Sequence, residues 1–138
     1  MKKSLCAGVS KVKQIIVDRD RTISFMGEEG RVYGTPYLTR DIEQTCREIL
    51  LEHADAGEDS VGIEITVRHV APTLPGMRVD ITASVTVVDG RKVTLDVTAK
   101  DEIESIGGGT HTRFVVDVAK TYQRLQAKAA KRESARGG

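Results

Sequence analysis

Apolar residues recur along this chain at two spacings, and the change from one to the other divides it. Between residues 36 and 53, Leu38, Ile42, Cys46, Ile49 and Leu50 fall three or four positions apart or side by side. That spacing lays one stripe along one face of an α-helix. Thr35 is placed to cap the helix, and Pro36 fits its first turn, where a missing N–H costs nothing. From Val61 onward the spacing is two. Positions 61, 63, 65 and 67 are Val, Ile, Ile and Val, and Val79, Ile81, Ala83, Val85 and Val87 form a second alternating run. Successive side chains of a strand point to opposite faces, so each run predicts a half-buried strand. Pro72 and Pro75-Gly76 close the first. Asp89-Gly90 is a hairpin signal, and Val93, Leu95, Val97 and Ala99 answer on the return strand. Gly107-Gly108-Gly109 breaks the pattern before a last strand over 110–118. A terminal helix is expected over 120–132, with 133–138 as a frayed tail. Upstream, residues 11–17 predict a first strand, 18–21 a charged turn, and 22–25 a short strand or loop.

This order is a strand, a long helix, then four antiparallel strands with one apolar face. It predicts an α+β domain of two layers spanning 1–138, with the helix covering the sheet. Periodicity leaves several α+β sandwiches open.

Composition narrows the function classes. With 138 residues, 39% hydrophobic and 30% charged, the chain has the makings of one packed core. A net charge of +1 gives no electrostatic case for nucleic acid or membrane. No apolar run approaches the roughly 20 residues of a membrane helix. The N-terminus starts like a signal peptide, but Ser10, Lys11 and Lys13 interrupt any apolar stretch. A cytoplasmic protein is expected. Cys6 and Cys46 are far apart and form no metal motif, so neither a metal site nor a disulfide framework is expected.

Three residues are candidates for chemistry. Glu43 lies at the edge of the helical stripe, on the side of Thr39, Cys46 and Leu50. A partly desolvated carboxylate there suits a general base or a nucleophile; the plainer reading is a boundary glutamate. His69 continues the face of positions 61, 63, 65 and 67, which places it inward at the strand's end, where it is either a core-edge histidine or an acid–base group. Thr35 serves as a cap, and its hydroxyl and the free N–H groups of a helix start also suit a developing oxyanion. Eight residues separate Thr35 from Glu43, roughly 12 Å of helix rise. Contact between them needs the chain to bend at the cap or a substrate to bridge them. Lys120, Arg124, Lys128 and Arg132 recur every four residues, the pattern of a solvated face.

Two stretches carry a family likeness. Val61-Gly62-Ile63-Glu64-Ile65-Thr66-Val67-Arg68-His69, followed by Pro72-Thr73-Leu74-Pro75-Gly76, resembles the strand, histidine and T-x-P-G loop of the fluoroacetyl-CoA thioesterase family of hot-dog proteins. Ile106-Gly107-Gly108-Gly109-Thr110-His111-Thr112-Arg113 is similar to that family's I-G-x-G-T-H-x-R segment. The likeness spans about residues 34–128. It implies the hot-dog fold, a sheet wrapped around a central helix. It implies coenzyme A thioester hydrolysis by Thr35, Glu43 and His69, with Gly62 and Arg113 contacting substrate. It implies no cofactor beyond the coenzyme A of the substrate itself. It further implies a homodimer with active sites between subunits. The family's fluoroacetyl-CoA enzyme carries an aromatic lid between first strand and helix. Over residues 18–33 of this chain Phe25 and Tyr33 are the aromatics, with no residue-by-residue match to that lid, so selectivity for a fluorinated acyl group is not expected. The competing reading is an acyl-CoA binding module without turnover, which has no need of the three groups together. A hydratase is disfavoured because Cys46 stands where a histidine should follow Asp41.

Overall fold

The computed structural model describes residues 1–137. Five antiparallel strands, β1 (Ser10–Ile16), β2 (Glu58–His69), β3 (Arg78–Asp89), β4 (Lys92–Asp101) and β5 (Ser105–Asp117), form one sheet in the order β1-β3-β4-β5-β2. Helix α1 (Thr35–Glu52) lies across one face, and α2 (Val118–Gly137) follows β5. Short 3-10 turns at Arg19–Arg21 and Glu28–Gly30 interrupt the link from β1 to α1. Leu38, Ile42, Cys46, Ile49 and Leu50 of α1 are buried against Val79, Ile81, Ala83 and Val85 of β3 and Val93, Leu95, Val97 and Ala99 of β4. Each fully buried Leu or Ile contributes about 1.5–3 kcal/mol through removal of its surface from water. This is the expected α+β, hot-dog arrangement. Among the described residues no helix is long and apolar enough to cross a membrane.

Both long alternating runs contain an inserted residue. In β2, Gly62 pairs with Arg113 and Glu64 with Thr112, so Ile63 is a β-bulge. The inward face is therefore Ser60, Gly62, Ile65, Val67 and His69. Val61 and Ile63, expected inside, point outward at 44% and 53% exposure. The expected position of His69 survives because the three residues before the strand's end keep their alternation. In β3 the shift between Val85 and Val87 likewise turns Val87 outward and leaves Val88 packing against the core.

Further boundaries differ from expectation. The glycine run lies inside β5 rather than before it. A Cβ on Gly109 would lie 1.8 Å from the Thr66 carbonyl oxygen, and one on Gly108 2.3 Å from that of Val97. The glycines let neighbouring strands approach. Gly34, not Thr35, occupies the N-cap of α1, and no side chain caps it. Thr35 is the first helical residue, which frees its hydroxyl for another partner. Strand β1 turns Lys11 and Lys13 toward α1, where they pair with Glu52 and Glu48 at 2.5 and 2.6 Å. The tail expected over 133–138 is helical through Gly137, as its Ala, Lys and Arg content favours. Gly138 lies outside the described residues.

Candidate active site

The last residue of β2 and the first of α1 meet at one end of the core. His69 Nδ1 and Thr35 Oγ1 share a hydrogen bond of 2.8 Å. The ring of Tyr33 packs against the imidazole in a T-shaped arrangement, centroids 6.0 Å apart and planes at 73°. His69 Nε2 is buried and has no hydrogen-bond partner among the described residues. A buried polar nitrogen without a partner is costly, and such atoms call for an explanation. Burial pushes the His69 pKa below the ordinary histidine value, so the ring is neutral near pH 7. Beside the pair opens a cavity of about 330 Å³, walled by Ile23, Phe25, Val32, Tyr33 and Ala71. Phe25 is 81% exposed at its mouth.

Glu43 lies two turns further along α1 and half-buried. It lines a separate cavity with Gly62, Ile65 and His111. The expected trio is thus divided within one chain. Thr35 and His69 touch, whereas Glu43 stands with Gly62 and the inward face of β5. Behind Glu43, His111 Nδ1 hydrogen-bonds the Glu64 carbonyl at 2.8 Å, and its Nε2 accepts from Arg113 Nη1 at 3.1 Å. Arg113 also donates from Nε to Ser60 Oγ at 2.8 Å and from Nη2 to the Ser60 carbonyl at 2.7 Å. Both side chains are buried. Burial pushes the pKa of His111 down, and the Arg113 guanidinium beside it acts in the same direction. Gly62 leaves room for this pair. A Cβ there would sit 3.0 Å from His111 Cε1 and 3.6 Å from Arg113 Nη1. Arg113, expected as a substrate contact, is instead buried and held by Ser60 and His111, and it does not line the cavity with Glu43.

One buried group escaped the sequence reading. Asp41 is fully buried on the apolar side of α1, between Leu38 and Ile42. It accepts from Tyr33 Oη at 2.5 Å and from Arg21 Nε and Nη2 at 2.9 and 3.3 Å. An aspartate within an apolar stripe was the available signal, because a buried carboxylate needs charged or hydrogen-bonding partners. Which partners they are is decided by the loop before α1, whose path has no periodic signature.

Comparison with known proteins joins these observations. The family described as FlK, fluoroacetyl-CoA-specific thioesterase, matches residues 17–119. The fluoroacetyl-CoA thioesterase of Streptantibioticus cattleyicolor is 29% identical over 135 residues, covering 93% of this chain and 97% of that one. A crystal structure of a point mutant of the fluoroacetyl-CoA-specific thioesterase FlK is 28% identical, covers 92% of this chain and 99% of that one, and superposes with a TM-score of 0.84. A hypothetical protein of Thermus thermophilus, a thioesterase superfamily member, is 27% identical over 93% of this chain and 96% of its own, also at 0.84. With its hot-dog sheet and helix and its matched central 17–119 segment, the chain belongs to the fluoroacetyl-CoA-specific thioesterase family and is an acyl-CoA thioester hydrolase.

Proposed function

We propose that the protein hydrolyses short-chain acyl-CoA thioesters at a site built by two copies. Thr35 and His69 come from one copy; Glu43 and Gly62 come from the other, with Arg113 bracing His111 behind them. The observation carrying this reading is the buried, unpartnered His69 Nε2 beside the Thr35 hydroxyl, with Glu43 in a different cavity of the same chain. Glu43 of a second copy supplies the missing partner. Its carboxylate attacks the thioester carbonyl carbon or takes a proton from the water that does. The C–S bond then breaks, leaving either the free acid directly or an anhydride on Glu43 that water hydrolyses; His69 protonates the departing thiolate and regains its proton from the water consumed. The neutral state of His69 near pH 7 fits that relay. With Nε2–H turned to Glu43, the neutral ring accepts the Thr35 hydroxyl proton at Nδ1, so Thr35 fixes the tautomer and orientation of the imidazole. A short acyl group is supported by the two-carbon acyl group named for the relatives and by the modest cavity beside His69.

Thiol release over acyl-CoAs of increasing length tests the substrate class, with Glu43→Gln and His69→Ala each expected to lose most activity. Mixing the two inactive variants tests the shared site. A mixed dimer keeps one intact pairing, so activity returns to about a quarter of wild type when subunits exchange freely. No recovery on mixing, despite exchange, places Glu43 and His69 of one chain in the same site and overturns the two-copy arrangement. Thiol release untouched by either substitution removes the assigned roles altogether.

A further inference from the structure

The imidazole of His69 rests on a ring that is itself held from behind. Tyr33 lies almost wholly inside the fold at 1% exposure. Its backbone N–H donates to the Thr73 carbonyl at 2.9 Å, and its hydroxyl reaches Asp41. Thr73 in turn donates from Oγ1 to Asp101 Oδ2 at 2.9 Å. Arg21, which accepts the Gly34 N–H on its carbonyl, closes on Asp41 with Nε and Nη2. The loop before α1, the T-x-P-G loop after β2 and the first turns of α1 thus converge on one phenol.

We infer that Tyr33 is a positioning residue for His69, and that the half-buried Asp41–Arg21 pair is there to hold it. The inference rests on the proposed role of His69. A T-shaped ring contact restricts imidazole rotation and is worth about 0.5–1.5 kcal/mol beyond the area it buries. The same ring covers one side of the imidazole and keeps water from it. A tyrosine held only by packing can swing. Held by a carboxylate that is charge-paired behind it, it cannot turn without leaving a buried acceptor without its donor. Asp41 is fully buried and Arg21 partly exposed, so the cost of desolvating the carboxylate offsets much of their attraction and the pair is a poor source of net stability. Its placement directly behind a ring that touches His69 therefore points to orientation rather than to stability.

Kinetics of Tyr33→Phe and Asp41→Asn, together with the His69 titration followed by NMR, test this. Tyr33→Phe keeps the ring and removes its anchor; Asp41→Asn keeps the size and removes the charge. For both, kcat should fall about 5- to 20-fold, with KM within about 2-fold, because ring orientation matters in the transition state. The His69 titration midpoint should rise toward the ordinary histidine value as water reaches the ring. Folded variants that keep kcat, KM and the His69 titration of wild type overturn the proposal. If Asp41→Asn does not fold, Tyr33→Phe decides alone, since Asp41 then keeps Arg21. The role of His69 is read separately: His69→Ala without effect on thiol release removes that role, whereas loss of activity in His69→Ala beside a silent Tyr33→Phe removes only the positioning.

Discussion

His69 and His111 lie on the inward face of adjacent strands, and burial pushes the pKa of each below the usual histidine value. In the unfolded chain both return to about 6.5. As pH falls through that value the unfolded state takes up protons first, so stability present above it is lost toward the lower folded values. At His111 the proton also removes the acceptor for Arg113 Nη1 and sets a second cation beside the guanidinium. The urea midpoint should therefore fall between about pH 8 and about pH 5, and His111→Gln should flatten that slope. An unchanged slope in the variant would show that His111 is not the titrating group. Single residues were legible where position alone spoke. A helix edge, a strand end and a helix start mark Glu43, His69 and Thr35 as candidates, and the family resemblance is what groups them. Gly34 rather than the expected Thr35 takes the cap, and the bond of Tyr33 to Asp41 has no sequence signature because it joins a loop to a helix.

At the scale of elements, the glycines of β5 matter through what passes beside them. Gly109 pairs with Val67, two residues before His69. A methyl group there would lie 1.8 Å from the Thr66 carbonyl oxygen, so Gly109→Ala must open the β2–β5 ladder. The expected cost is about 3 kcal/mol or more, read as a lower urea midpoint, with His69 displaced from Thr35 and thiol release lost even where the variant stays folded. Ala tolerated at wild-type stability and rate would contradict the close approach. The helix and the strands were legible because their periods differ. The bulges were not. An apolar residue occupies the bulge at Ile63, so the count of two runs on undisturbed while the faces exchange.

For the whole molecule, one helix over one sheet follows from the pattern of apolar positions. The two-copy site proposed above does not, because a contact between chains leaves no period in the sequence. Edge strand β2 shows what the sheet leaves unresolved: it ends the sheet with Val61 and Ile63 exposed, an apolar edge that soluble proteins cover or pair. The division of Glu43 from the Thr35–His69 pair has a kinetic corollary. If each working site needs two chains, a folded chain alone is silent, and turnover becomes a gauge of association. At high dilution the rate should then rise with the square of protein concentration rather than in proportion to it, and rate per chain should level off only once association is complete. A rate strictly proportional to concentration, down to where sedimentation finds single chains, would show that one chain suffices.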